Sequence, residues 1–337
     1  MILFESDRRN AAFYFAAEEY IMRALKPEAP VLMLWTTGDT VMIGANQTAK
    51  AECDLDYAKE KGIAIVRRPS GGGAIFTDKG TLQYTVILTY ADAEAETNHT
   101  NRDSKETVRE WLAGPLIETL AGYGVAAVAE GRNDVTISGR KISGTAQHIR
   151  YGYICSHGSL LFNTDLEKLT RALTVDREKI QTKAVASVRA RVTKIADHAE
   201  EKDMPRFREA FIESYSHKEP LSRREFSTSE LTQIEEIEQE KYAAPEWTFG
   251  RDPAFTFTNK KRFPGGGVEV FIDVKGGIVQ SAKITGDFLA PGPVTELEAS
   301  LAGVPHTREA LTGALQKAGA PAALGSVSAE ELLSVLC

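Results

Sequence analysis

The sequence predicts an α+β protein in which mixed β-sheets pack against helices, followed by a second, smaller α+β domain. Strand-like and helix-like runs follow one another without the regular strand–helix–strand order of a doubly wound parallel sheet. A length of 337 residues favours two domains. A helical pattern ends near Pro245 and a strand pattern begins at Trp247, so we predict domains over 1–245 and 246–337.

The first 90 residues are predicted to contain two helices and three strands. Apolar side chains at helical spacing indicate a helix over 10–25. Gly62 should end a shorter helix over 52–61. Strand formers are concentrated in the runs 31–43, 62–67 and 81–88.

The rest of the chain also mixes both element types. A polar stretch over 91–103 is expected to be a surface loop, and Pro115 should bend a helix over 105–122. Glu331 completes a capping box with Ser328 at the start of the last helix. The other predicted elements are short strands over 125–162, helices over 166–242, strands over 255–257, 268–274 and 277–284, and a helix over 308–318.

Composition and charge exclude several functional classes. A formal net charge of −7 argues against a general nucleic-acid binder, whose affinity comes from neutralising phosphates. The three cysteines, Cys53, Cys155 and Cys337, are too scattered for a disulfide framework or a zinc site. The sequence shows no signal-peptide pattern and no apolar run of about 18 residues. We therefore expect a cytoplasmic protein that binds neither nucleic acid nor a membrane.

The most informative stretch is a glycine loop between two predicted strands. Gly71, Gly72 and Gly73 follow Arg67 and Arg68 at the end of a β-branched run. A glycine backbone approaches a ligand closely, its amides converge on anions, and arginines add positive charge. The Gly-Lys-Ser/Thr of a P-loop and the spaced glycines of a dinucleotide loop are both missing. The loop therefore indicates a site for an anionic small molecule; a plain hairpin connection is the alternative.

A second group of polar residues precedes and opens a later strand. Lys141 begins that strand, which would fix its ammonium group beside a carboxylate or an α-phosphate. Asn133 and Asp134 form a turn ahead of it. Asp134 would suit a Mg²⁺ ion that bridges phosphates if it faces the same pocket. An exposed hairpin with an ordinary surface lysine is the alternative.

A third group lies along one strand, where Cys155, His157 and Ser159 alternate and should share a face. A cysteine near a histidine suggests nucleophilic catalysis. A small apolar cysteine in a half-buried strand explains the pattern slightly better.

Together these stretches resemble the lipoate–protein ligase A family in its long, two-domain form with a C-terminal accessory domain. The resemblance covers nearly the whole chain and rests on the order and spacing of several motifs. It implies a biotin/lipoate-ligase-like catalytic domain over 1–245. The matching stretches are 67–76, 131–134, 141–147, 157–161, 187–193, 249–255 and 262–263.

The activity that the resemblance implies is a two-step, ATP-dependent ligation. The lipoate carboxylate attacks the α-phosphate of ATP, in the presence of Mg²⁺, to give lipoyl-AMP and pyrophosphate. The lipoyl group then passes to a lysine of a lipoyl domain. The implied acceptors are the lipoyl domains of 2-oxo acid dehydrogenase acyltransferase subunits and the glycine cleavage H protein, and the enzyme is expected to be a monomer.

The resemblance also implies roles for individual residues. Lys141 would be catalytic, bridging the lipoyl carbonyl and the phosphate. Asp134 would be the possible magnesium ligand and Asn133 a further pocket residue. ATP and the adenylate would contact Arg68, Gly73, Ala74, Ile75 and Phe76, together with Lys141. Lipoate would contact Ser70, Gly72, Ser143 and His157, together with Lys141.

The chain departs from the family pattern at three positions. Ala45 replaces an arginine that the family tends to have, and Thr77 and Thr81 stand where it often has histidine and asparagine. These changes affect the expected acyl-chain preference and rate more than the expected reaction class.

Three rival functions were weighed against the ligase. An octanoyltransferase would act through a thioester on Cys155, but Cys155 lies two residues before His157 rather than three, which turns the thiol to the opposite face. A biotin–protein ligase would need a Gly-Arg-Gly-Arg loop, which Arg68-Pro69-Ser70-Gly71 replaces. A non-catalytic module that binds lipoate or lipoyl domains is the third alternative; the changes at Ala45, Thr77 and Thr81 leave room for it, and Lys141, which is most useful for chemistry, argues against it.

Overall fold

The computed structural model describes residues 1–90, 104–131, 133–173, 190–200, 202–249, 257–275, 277–291, 294–320 and 324–337. Its N-terminal part contains two sheets. Their strands are β1 (Ile2–Glu5), β2 (Val31–Trp35), β3 (Thr40–Ile43), β4 (Ala64–Arg67), β5 (Ile75–Thr77), β6 (Thr81–Thr89), β7 (Ala127–Glu130), β8 (Asp134–Ile137), β9 (Arg140–Arg150), β10 (Tyr153–Leu161) and β11 (Ser222–Glu225).

The larger sheet has eight strands in the order β11-β1-β2-β6-β10-β9-β8-β7. β1 pairs in parallel with both β2 and β11, and the other neighbours are antiparallel. The smaller sheet has the order β4-β3-β5. The glycine loop joins β4 to β5, so ladder hydrogen bonds fix the strands at both of its ends.

Helices cover both faces of the larger sheet. The helices of this N-terminal part are α1 (Ala11–Tyr20), α2 (Ala49–Glu52), α3 (Leu55–Lys61), α4 (Ser104–Gly122), α5 (Leu166–Ala172), α6 (Met204–Lys218), α7 (Thr228–Ile237) and α8 (Pro245–Phe249), of which α2, α3 and α5 pack beside the smaller sheet. One apolar core, which includes Trp111 and Phe211, packs α4 and α6 against the sheet. The opposite core, which includes Phe13, Phe15 and Ile234, does the same for α1 and α7.

The C-terminal part is a small α+β unit with its own apolar core. An antiparallel three-stranded sheet packs against helices. Ser328 and Glu331 form the predicted capping box at the last helix. The elements are β12 (Phe257–Phe263), β13 (Gly266–Lys275), β14 (Ile278–Gly286), α9 (Thr295–Ser300), α10 (Arg308–Lys317) and α11 (Ala329–Leu336).

Backbone contacts join this C-terminal unit to the glycine loop. The Gly72 N–H donates to the Phe288 carbonyl at 3.3 Å, and the Gly286 N–H donates to the Asn46 carbonyl at 2.8 Å. A Cβ on Gly71 would lie 2.8 Å from the Phe288 carbonyl oxygen. Glycine is therefore required at position 71 for this approach.

The structure confirms the α+β class and most of the predicted elements. The helix over 10–25 is α1 continued by a π-helical turn, Ile21–Leu25, and Gly62 ends α3 with a φ of 65°. The run 31–43 forms two strands, β2 and β3, which belong to different sheets. The loop predicted over 91–103 lies outside the described residues.

One strand prediction was wrong, and one strand was not predicted. The predicted strand start at Trp247 lies in helix α8, where the Trp247 carbonyl accepts from the Arg67 guanidinium and the indole N–H donates to the Arg67 carbonyl. Helices dominate 166–242 as expected, but this range also contains strand β11, which was not predicted. It is an edge strand with mostly exposed side chains, so it shows no apolar alternation. No helix in the described parts of the chain is long and apolar enough to cross a membrane.

Candidate functional site

A cavity of about 100 Å³ lies between the glycine loop, helix α1 and strands β9 and β10. Phe15, Trp35 and Met42 supply an apolar wall that the sequence analysis did not identify. The predicted site residues that line the cavity are Arg68, Gly72, Gly73, Ile75, Asn133, Lys141 and His157. Charged and apolar side chains therefore line the same cavity.

Arg68 shapes the glycine loop from inside. Its buried guanidinium donates to the carbonyls of Gly71 at 2.8 Å, Gly73 at 2.7 Å and Met42 at 3.0 Å. Burial lowers the pKa of Arg68 to about 10, so the group is still charged at neutral pH. The side chain fixes the loop and brings a positive charge to the cavity wall.

Arg67, the other cation of the motif, points away from the cavity. It is 1% exposed and donates to backbone carbonyls of the segment Gly44, Ala45 and Gln47 and of helix α8 at Trp247 and Thr248. Consecutive side chains of a strand point to opposite faces, which explains why Arg68 faces the cavity and Arg67 does not. Arg67 joins three backbone segments rather than binding a ligand.

Lys141 lies at the cavity with its ammonium 2.7 Å from a carboxylate oxygen of Asp134. Both side chains are partly accessible, at 39% and 36%. A Cβ on Gly144 would lie 2.6 Å from the Lys141 Nζ, so the glycine at 144 makes room for the lysine. The Thr193 N–H donates to the Lys141 carbonyl and helps fix the strand position.

Five predicted site residues do not line the cavity. Ser70 lies behind His157, and Asp134 reaches the cavity only through Lys141. The Ser143 hydroxyl pairs with the buried Tyr84 hydroxyl at 3.2 Å. Ala74 and Phe76 pack against the apolar core beside the smaller sheet. Periodicity alone could not show which face of each strand meets the cavity.

The two threonines that depart from the family pattern are buried and paired elsewhere. Thr77 shares a hydrogen bond with Thr37 at 2.7 Å, and Thr81 shares one with Thr164 at 2.8 Å. Thr81 also donates to Asp78. Both threonines therefore stabilise strand ends rather than contacting the cavity.

A buried polar network lies behind the apolar wall. The Glu18 carboxylate accepts from His157 Nδ1 at 3.2 Å and from the Thr85 hydroxyl at 2.8 Å. The other ring nitrogen of His157 lies 2.5 Å from the Ser70 hydroxyl. Glu18 was not among the predicted site residues; a glutamate within the apolar run of the first helix was the available signal.

Cys155 is fully buried beside this network. Burial raises the pKa of its thiol well above the usual value, and the neighbouring Glu18 carboxylate raises it further. A thiol in this state is a poor nucleophile. Within the described residues, Glu18, His148 and Cys155 have possible metal-ligand atoms that lie within 4.8 Å of one another. Asp134, the predicted magnesium ligand, is not part of this group and forms an ion pair with Lys141.

Comparison with known proteins gives consistent matches along the chain. Residues 10–216 match the model of the lipoyl protein ligase A/B catalytic domain, and residues 252–336 match that of the bacterial lipoate protein ligase C-terminus. The lipoate-protein ligase LplJ of Bacillus subtilis (strain 168) is 31% identical over 334 residues, covering 95% of each chain. The chain belongs to the lipoate–protein ligase family.

Solved structures agree with this assignment. A structure of P. falciparum LipL1 in complex with lipoate matches with a TM-score of 0.76 and 21% identity, covering 94% of each chain. A lipoate-protein ligase A bound with ATP matches with a TM-score of 0.61 and 25% identity, covering 74% of this chain and 98% of that one. A bipartite lipoate protein ligase of Thermoplasma acidophilum, described with its E2 lipoyl domain, has a TM-score of 0.65 and 28% identity, covering 76% and 98%.

These matches make the chain an enzyme with the biotin/lipoate ligase fold. The lipoate–protein ligase family assignment agrees with the resemblance found in the glycine loop and the Lys141 segment. The stretch 187–189, part of another matching motif, lies outside the described residues.

Proposed function

We propose that this ligase activates lipoate with ATP to give lipoyl-AMP, and then transfers the lipoyl group to a lysine of a lipoyl domain. The observation that supports this most is the meeting of the Lys141 ammonium, the glycine loop and an apolar wall around one cavity. The lipoate-bound and ATP-bound structures of similar ligases support the same two substrates.

Adenylation brings two anions together. A carboxylate oxygen of lipoate attacks the α-phosphorus and forms a new O–P bond. The bond from the α-phosphorus to the oxygen that bridges to the β-phosphate breaks, and pyrophosphate leaves with that oxygen. Lys141 lowers the repulsion between carboxylate and phosphate and stabilises the charge that develops between them. Arg68 adds a second fixed charge, and Gly72 and Gly73 allow the nucleotide to approach the backbone.

Transfer uses the mixed anhydride formed in the first step. The amine of the acceptor lysine attacks the acyl carbon, the C–N bond forms, AMP leaves, and the amine proton passes to solvent. Phe15, Trp35 and Met42 would pack against the apolar lipoyl chain and hold it still during both steps. Asn133 and His157 supply polar contacts at the same wall.

The residues present fit a magnesium ion beside the phosphates. Asp134 offers carboxylate oxygen, the ligand type that Mg²⁺ prefers, next to the Lys141 ammonium. Magnesium bound there together with phosphate oxygens would offset the charge of the leaving pyrophosphate.

The proposed acceptors are the lipoyl domains of 2-oxo acid dehydrogenase acyltransferase subunits and the glycine cleavage H protein. The Thermoplasma ligase described with its E2 lipoyl domain supports this class of partner. We propose that the enzyme acts as a monomer. We assign catalysis to residues 1–245 and an accessory role to 246–337, an assignment that the two family-model matches support.

Release of pyrophosphate from ATP and Mg²⁺ tests the proposal without an acceptor protein. The rate of pyrophosphate release by the purified protein is measured with lipoate, with octanoate, with biotin and without any acid. We expect release that depends on lipoate or its close analogue octanoate and is absent with biotin. No release with any acid, despite a folded protein, would overturn the adenylation step.

A Cys155→Ser variant separates this mechanism from acyl transfer through a thioester. We expect it to keep wild-type activity within about threefold, because the buried thiol is not a nucleophile. Lipoyl transfer to a purified lipoyl domain, followed by mass spectrometry, measures it. An inactive but folded variant would instead support a covalent role for Cys155, and Cys53→Ser is the matched control at another buried free cysteine.

A further inference from the structure

A single buried carboxylate connects both sides of the cavity. Glu18 is 0% exposed on helix α1. On one side it binds His157, which in turn binds Ser70 of the glycine loop. On the other side it binds the Thr85 hydroxyl, which accepts a hydrogen bond from the Trp35 indole N–H at 3.2 Å.

The charge of Glu18 determines the direction of these hydrogen bonds. Burial would raise the pKa of Glu18, but the adjacent His157 and the hydrogen bonds from His157 and Thr85 outweigh burial and lower it. An ionised carboxylate only accepts hydrogen bonds. Nδ1 of His157 must therefore hold a hydrogen, and Nε2 is the ring nitrogen that faces the Ser70 hydroxyl.

Neighbouring groups do not replace Glu18 in this role. His148 also lies in the network region, but burial lowers its pKa to about 3, so it is neutral. The Cys155 thiol is protonated and contributes another donor to the same carboxylate. Among the described groups here, Glu18 is the acceptor on which the donors from His157 and Thr85 converge.

We propose that Glu18 is a positioning residue of the ligase. Its carboxylate fixes the His157 tautomer, and His157 in turn holds Ser70 and the glycine loop in place. Through Thr85 the same carboxylate fixes the position of Trp35 in the apolar wall. The inference rests on the proposed function, because the groups positioned are those expected to contact ATP and lipoate. Glu18 itself does not line the cavity and is not expected to touch either substrate.

The Glu18→Gln variant tests this role with little change in shape. The amide NH₂ of glutamine is a donor, which favours Nδ1 of His157 as acceptor and moves the ring hydrogen to Nε2. The Ser70 hydroxyl then loses its acceptor and can pair with the ring only by accepting from Nε2, which turns its own hydrogen elsewhere. We expect kcat/KM for lipoate in pyrophosphate release to fall about 10²-fold, with a higher KM for lipoate as well as a lower kcat.

Glu19→Gln is the matched control. Glu19 is the adjacent buried glutamate, but it accepts from Lys241 at 2.6 Å and Tyr242 at 2.9 Å rather than from residues of the cavity. We expect its activity to stay within about threefold of wild type at a temperature where both variants are folded. Equal losses in the two variants would contradict a specific role for Glu18.

Nitrogen-15 NMR of the histidine rings gives a readout that does not depend on activity. His157 resonances are assigned by their loss in His157→Gln. We expect a protonated Nδ1 in the wild type and in Glu19→Gln, and a protonated Nε2 in Glu18→Gln. An unchanged His157 tautomer in Glu18→Gln would overturn the positioning role of Glu18, even if activity falls. If the wild-type protein shows no acid-dependent pyrophosphate release, only the proposed function is overturned.

Discussion

Replacing Lys141 by alanine is expected to lower lipoyl-AMP formation by about 10³-fold while leaving the fold intact. The ammonium is the charged group at the cavity that is partly accessible and lies on a fixed strand. Without it, the carboxylate and the α-phosphate approach one another with less charge compensation. Lipoate-dependent pyrophosphate release and trapping of lipoyl-AMP measure the effect.

Lys168→Ala is a closely matched control for this variant. Lys168 and Asp39 form an ion pair of 2.7 Å, and their side chains are 41% and 29% exposed. These values are similar to those of the Lys141–Asp134 pair, but Lys168 does not line the cavity. We expect Lys168→Ala to retain activity. Wild-type rates in Lys141→Ala would refute the assigned role, as would the same loss in both variants.

Replacing Arg67 by alanine is expected to have the largest effect on stability. The guanidinium is buried and donates to carbonyls of the segment 44–47 and of helix α8, so alanine leaves those acceptors unpaired around a new cavity. Lost hydrogen bonds from a charged group and unpaired buried carbonyls together cost at least about 3 kcal/mol. Chemical denaturation monitored by circular dichroism measures the free energy of unfolding.

Arg206→Ala provides the comparison for an arginine on the surface. Its side chain is 74% exposed and lies 3.6 Å from Asp203, within the same helical turn. Such a pair contributes at most about 1 kcal/mol. If Arg67→Ala is no less stable than Arg206→Ala, then Arg67 does not join the segments as the structure indicates.

The consecutive arginines show how far the sequence could predict the site. The motif identified the glycine loop, and the cavity includes Arg68, Gly72 and Gly73. From the motif alone, both arginines were expected to place positive charge beside the ligand. Only the tertiary structure showed that Arg67 binds backbone carbonyls instead, since its partners at Gln47 and Thr248 are distant in the sequence.

Element type was predictable where local chemistry decides it. Helix α1, the end of α3 at Gly62 and the capping box at Ser328 depend on periodicity, glycine conformation and a short side-chain contact. Strand β11 and helix α8 depend on what lies beside them. Their sequences contain no corresponding local pattern, so these two elements were missed.

The sequence by itself determined the family, the α+β class and the segments that build the site, because motif order and apolar periodicity are properties of the linear chain. Tertiary structure decided which side chains of those segments reach the cavity. It also decided that Glu18, in the first helix, meets His157 from a strand 139 residues later. A hydrogen-bond network of this kind depends on distances across a folded core, and no local pattern in the sequence encodes those distances.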